Sequence, residues 1–175
     1  RTSSIPALDF ARLHASVYVQ LHAEVGRVLA RDALRFVWVP AALLCVAADV
    51  FARSCWTHRT TLFWNRGTAC WSRRWPHQVV EVLLVFSRGN VDELLRGGSV
   101  ASARATSLVV EERREPARKP QQMRTCIEQL CKPSTRRLEL FGRQAASGWT
   151  VLGDETDKFD VAPVRTRRAA TSQLP

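Results

Sequence analysis

Apolar positions along the chain fall into short blocks whose spacing changes from helical to extended and back. Val17, Leu21, Val25, Val28 and Leu29 recur at helical intervals, so the spacing predicts a helix over 17–29. Leu34-Arg35-Phe36-Val37-Trp38-Val39 reads as a buried strand that ends at Pro40. Ala41 to Arg53 reads as a buried helix returning over a sheet. Thr60 to Trp64 is the next strand, ended by Asn65-Arg66-Gly67, and residues 68–78 read as an irregular loop. Val79 to Phe86 is the strongest strand, closed by Arg88-Gly89-Asn90. Residues 91–106 read as an exposed connection and Leu108-Val109-Val110 as a short strand. Glu111 to Lys119 is a charged loop, and Pro120 opens a helix running to about Leu130. Arg137 to Phe141 is the last strand, stopped by Gly142, with Phe141 expected in the core. Strands alternating with helices predict an α/β fold with a mostly parallel sheet.

Length and composition set the frame for these elements. At 175 residues with 46% hydrophobic and 24% charged residues, the chain can bury a core and is not built like a disordered one. The 16-residue run Phe36–Phe51 contains Pro40 and Asp49, too short and interrupted for a membrane span, which needs about 20 apolar residues. Five cysteines without a Cys-x-x-Cys pair point away from a disulfide scaffold and towards a reducing compartment. No signal peptide is visible, and a chain opening on Arg1 reads as a fragment, a processed form or a partial gene model.

The net charge is +10, a field that favours nucleic acid or another polyanion. Of the 26 basic residues only Lys119, Lys132 and Lys158 are lysines. That bias also fits a GC-rich coding sequence. Arg73-Arg74-Trp75 and the run Arg113-Arg114 to Arg118-Lys119 place positive charge in loops, the first beside an aromatic. Arg73, Arg74, Arg114 and Arg118 suit phosphate contact and Trp75 suits base stacking; the alternative is two solvated loops. The tail after Pro163 is basic and expected to be disordered.

Other chemistry is thin. Cys55, His58, Cys70 and His77 lack the second clean pair of a zinc site. Glu111-Glu112 and Asp154-Glu155 read as loop surface. No Gly-x-Gly-x-x-Gly or Walker loop is present, which counts against a dinucleotide-binding or phosphate-loop enzyme. The tryptophans read mostly as core.

One set of motifs is distinctive. Lys119-Pro120 precedes a helix; then come Arg137-Leu138-Glu139-Leu140-Phe141-Gly142-Arg143, Gly148-Trp149-Thr150 and Leu152-Gly153-Asp154-Glu155. This series resembles the C-terminal half of the eukaryotic N6-adenine methyltransferase (MT-A70-like) family. The spacing from Arg143 to Trp149, Glu155 and Phe159 looks most like the branch of methyltransferase-like protein four. Phe36–Val39, Leu62–Trp64 and Glu81–Asn90 are similar to the family's upstream strands, in its order. The resemblance covers about residues 17–160.

The resemblance implies a Rossmann-like class I methyltransferase sheet in permuted order, here lacking its first catalytic strand. Residues 1–16 would be an unassigned remnant, 17–160 the C-terminal part of the methyltransferase-like domain, and 161–175 a basic tail. It implies S-adenosylmethionine as cofactor. Lys119 would pair with the methionine carboxylate, and Glu139, Leu140, Phe141 and Arg143 would line the pocket. Asp154 and Glu155 would stand where the family holds the cofactor with Asn and Gln or Glu. Lys119 also reads as a solvated lysine before a helix, and Glu139 beside Arg137 as a surface pair.

The chain departs from the pattern in three places. The family's catalytic Asp-Pro-Pro-Trp is absent, as is any Pro-Pro; Ile5 to Phe10 is the nearest remnant. Gln144-Ala145-Ala146 lacks the Asn or His-Asn that others place after the Arg. Asp154 puts a negative charge where an amide both donates and accepts. Two functional expectations follow. The first is an adenine-N6 methyltransferase domain acting on RNA or DNA, nuclear by resemblance. The second is a catalytically inactive nucleic-acid-binding or scaffold subunit beside an active paralogue.

Overall fold

The computed structural model describes Val25, residues 29–67, 79–96, 106–112, 114, 118–153 and 156. The chain divides into two compact units, Arg1–Pro133 and Ser134–Pro175.

In the first unit, strand β1 (Ala33–Pro40) leads through a 3-10 turn (Ala41–Leu43) into helix α1 (Leu44–Ala52). Strands β2 (Thr57–Asn65), β3 (Val80–Arg88) and β4 (Leu108–Val110) follow, then helix α2 (Gln121–Leu130). The four strands form one sheet in the order β1-β3-β2-β4. β3 is antiparallel to β1 and to β2, and β4 is parallel to β2.

The expected mostly parallel sheet is therefore corrected for the described strands. The reason lies in the connections. α1 links β1 to β2 as a crossover, and those two strands do run the same way. The segment after Asn65 carries no crossover-helix signal, and β3 comes back beside β2 in the opposite direction. β3 thereby inserts between two strands that a plain β-α-β unit would place side by side.

β3 is apolar on both faces because both faces are covered. On one, Val82, Leu84 and Phe86 join Ala33, Val39, Phe51 and Trp56, with Leu43, Leu44 and Ala47 packed against them. The Phe51 and Phe86 rings stack with centroids 4.0 Å apart. On the other, Leu83, Trp64, Val109 and Met123 form a second cluster, joined by Phe36, Trp38, Leu62 and Ile127. α1 thus covers one face and α2 the other.

The Phe36–Phe51 run resolves into strand and helix as expected, but α1 is not a buried helix. Of its residues only Phe51 is buried, and Asp49 and Arg53 form an exposed ion pair one turn apart. No helix among the described residues is long and apolar enough to cross a membrane. In the expected helix over 17–29, Val25 is helical and buried and Leu29 N donates to its carbonyl at 3.1 Å. The rest of that helix, and the tail after Pro163, lie outside the described residues.

The second unit contains strands β5 (Leu138–Leu140) and β6 (Thr150–Leu152), paired in parallel with Glu139 opposite Val151. β6 has too few residues to announce itself by periodicity.

The central position of Leu83, 0% exposed, gives a direct test. Leu83→Ala should cost roughly 3 kcal/mol in urea unfolding, against under about 1 kcal/mol for Leu130→Ala on the exposed side of α2. Equal small losses would contradict a two-faced core centred on β3.

Candidate functional site

β1, β2 and β4 all run in one direction, so their C-terminal ends share one edge of the first unit. Open α/β sheets place ligands outside that edge. Here Pro40 of β1 lies opposite Glu81, and Glu81 opposite Trp64 of β2. Glu81 is the only acidic residue of β3, and a carboxylate at the edge of an apolar strand requires partners. It has two. One oxygen takes the guanidinium of Arg66, just past β2, at 3.0 Å. The other takes the ammonium of Lys119, just before α2. The Lys119 ammonium also lies 5.0 Å from the centre of the Trp38 ring.

All three charges are partly desolvated, with side-chain exposures of 19% for Glu81, 22% for Arg66 and 35% for Lys119. The triad carries one net positive charge. Its donor set suits an anion of single charge, and a carboxylate in particular, since an ammonium has three donors and Glu81 takes one.

The loop before α2 is more organised than its charge pattern suggested. Glu111, expected as loop surface, accepts from the backbone of Gln121 and Gln122 at 3.4 and 3.3 Å. It thereby caps a helix whose N-cap, Pro120, offers no side-chain bond. Its carbonyl takes the Trp64 indole N–H at 2.6 Å, and its carboxylate pairs with Arg114 at 2.9 Å. These bonds fix the chain on either side of Lys119.

The proposed nucleic-acid residues divide. Arg114 is engaged by Glu111, and Arg118 is half-buried beside Lys119. Arg73, Arg74 and Trp75 lie outside the described residues. A basic cluster not singled out in the sequence lies on the opposite sheet face. There the Arg35 and Arg88 guanidinium carbons sit 5.6 and 5.0 Å from the Trp56 ring. Burial, and then the charge of Arg88, push the Arg35 guanidinium below its ordinary value. Among the described residues no group of three His, Cys, Asp or Glu side chains converges as a metal site; Cys70 and His77 lie outside them.

In the second unit the C-terminal ends of β5 and β6 again share an edge. Glu139, Leu140 and Arg143 are half-buried there. Phe141, expected in the core, is 71% exposed and has φ +59°. The strand ends one residue before it, and the left-handed turn throws the ring outward. That conformation is unusual for a bulky residue. Two close approaches accompany the turn. A Cβ on Gly142 would lie 2.2 Å from Val151 Cγ1, and one on Gly153 would lie 2.6 Å from the Gly142 carbonyl oxygen. Gly142 N donates to Leu152 O at 3.1 Å and closes the turn. Asp154 and Glu155 lie outside the described residues.

Sequence reasoning found Lys119 but not Glu81, Arg66 or Trp38 as its surroundings. The available signal was the lone acid in the otherwise apolar run Val79–Phe86.

Two substitutions test the turn. Phe141→Gly suits the positive φ and should strengthen amide protection over residues 138–152 in the full chain by roughly 1 kcal/mol. Gly142→Ala should weaken it. Hydrogen exchange reads both, and the opposite signs would contradict the geometry.

The MT-A70 family model matches residues 18–155. No curated protein matches.

Proposed function

The chain belongs to the MT-A70 family, and on that premise we propose that it is the S-adenosylmethionine-dependent domain of an adenine-N6 methyltransferase acting on RNA or DNA. The observation that carries this reading is Lys119: a lysine fixed ahead of α2, at the C-terminal edge of the parallel strands, in a cluster of net positive charge. When bound, S-adenosylmethionine supplies an electrophilic methyl group on its sulfonium, which an exocyclic amine can take directly.

The residues of the chain then have separate tasks. Lys119 neutralises the methionine carboxylate. On the resemblance alone, Glu139 would accept from ribose hydroxyls, and Leu140 and Phe141 would give the adenine an apolar surface. Arg143, Asp154 and Glu155 complete the contacts that the resemblance implies. Exposure and backbone strain at Phe141 both cost free energy, and a ligand-facing role accounts for tolerating them. We extend the reading to a permuted Rossmann-like sheet, to the branch of methyltransferase-like protein four and to a nuclear location.

A second reading rests on a different observation. The 175 residues contain no Asp-Pro-Pro-Trp, the motif to which the resemblance assigns receipt of the target amine. The chain would then serve as an inactive subunit. It would present Arg73, Arg74, Trp75, Arg114 and Arg118 to nucleic acid beside an active paralogue.

Calorimetry on the full chain tests the first reading. S-adenosylmethionine should bind, and Lys119→Ala should weaken it about tenfold or more, equivalent to about 1.4 kcal/mol. Absence of binding by folded protein would overturn the cofactor-dependent reading and favour the inactive subunit.

A further inference from the structure

Glu81 stands in the same relation to Lys119 that a ligand carboxylate would. It has a carboxylate oxygen on the ammonium, beside the Trp38 ring. The ligand must therefore contend with a group the protein already supplies. What makes this arrangement more than a structural ion pair is the second cation. Arg66 holds the other Glu81 oxygen at 3.0 Å. A half-buried carboxylate that lost its sole partner would resist the loss, because the charge would stay uncompensated. Glu81 can give up Lys119 and stay neutralised by Arg66.

We infer that Glu81 and Arg66 form an exchange device for Lys119, in which a ligand carboxylate replaces the Glu81 carboxylate on the ammonium while Arg66 retains Glu81. This rests on the proposed binding of S-adenosylmethionine and deepens it: it makes Glu81 a positioning residue that sets affinity for carboxylate-bearing ligands. The exchange conserves charge. One carboxylate leaves Lys119 and one arrives, and no proton need move.

The two partners of Lys119 then have opposite effects. Removing the Glu81 charge frees Lys119 and favours the ligand. Removing Arg66 leaves Glu81 with Lys119 alone, tightens that pair and opposes the ligand. A purely structural triad would give losses for both. The effect is also confined to ligands with a carboxylate, because only these compete for the ammonium.

The experiment measures Kd by calorimetry for S-adenosylmethionine and for decarboxylated S-adenosylmethionine, on the full chain and on Glu81→Gln, Arg66→Met and Lys119→Ala. Circular dichroism checks that each is folded. Glu81→Gln is expected to bind S-adenosylmethionine about fivefold tighter and Arg66→Met about fivefold weaker. The decarboxylated compound should be neither tightened by the first nor weakened by the second. Glu81→Asp shortens the side chain and loosens its hold on Lys119 while keeping the negative charge in the cluster. It should also tighten binding, and it serves if Glu81→Gln does not fold. Shifts of the same sign at Glu81 and Arg66, or equal shifts for both ligands, would overturn the exchange device. So would wild-type binding that depends on Lys119 but is indifferent to Glu81. Folded wild-type protein that binds neither ligand would overturn the cofactor-binding reading as well.

Discussion

A single carboxylate organises the C-terminal edge of the first unit. Glu81 lies in β3, whose neighbours Val82 to Ser87 are buried, so its charge cannot be left without compensation. Two cations from distant parts of the chain answer it: Arg66 at the end of β2 and Lys119 at the approach to α2. Glu111 then fixes the same approach from the other side, through the first turn of α2 and the Trp64 indole. A lysine on a charged loop becomes a lysine with a defined position. Any role for Lys119 in binding depends on that constraint.

The sheet supplies the other half of the argument. Because β3 is reversed, β1, β2 and β4 keep a common direction, and their C-terminal ends meet at Glu81 and its partners. β3 can be apolar on both faces because α1 and α2 cover them. In the second unit the same principle holds on a smaller scale. A parallel pair ends in a tight glycine-dependent turn, with an exposed aromatic at its tip.

Much of this was legible in the chain. The β1, β3 and α2 segments were readable from apolar runs and from Pro40 and Pro120, whose effects on the backbone are local. Strand direction was not, because the pattern of β3 looks the same whichever way it runs; only the lack of a helical signal after Asn65 marked the reversal. Phe141 was misplaced for a related reason. Its hydrophobicity suggested burial, but β5 ends at Leu140 and Phe141 takes a left-handed turn, beside backbone packed too closely at Gly142 and Gly153 for a side chain. Lys119 was found through its resemblance to a family motif. Its neighbours Trp38, Arg66 and Glu81 are far apart in sequence and meet only once the sheet has formed.

The central claim is that the Lys119 ammonium receives the carboxylate of S-adenosylmethionine. With only three lysines in the chain, side-chain NMR can follow each separately during a titration with the ligand. The account predicts a saturable shift of the Lys119 ε-methylene signal, with Lys132, which pairs with Glu93, and Lys158 unmoved. A Lys119 signal that stays in place while the ligand saturates the protein would contradict it.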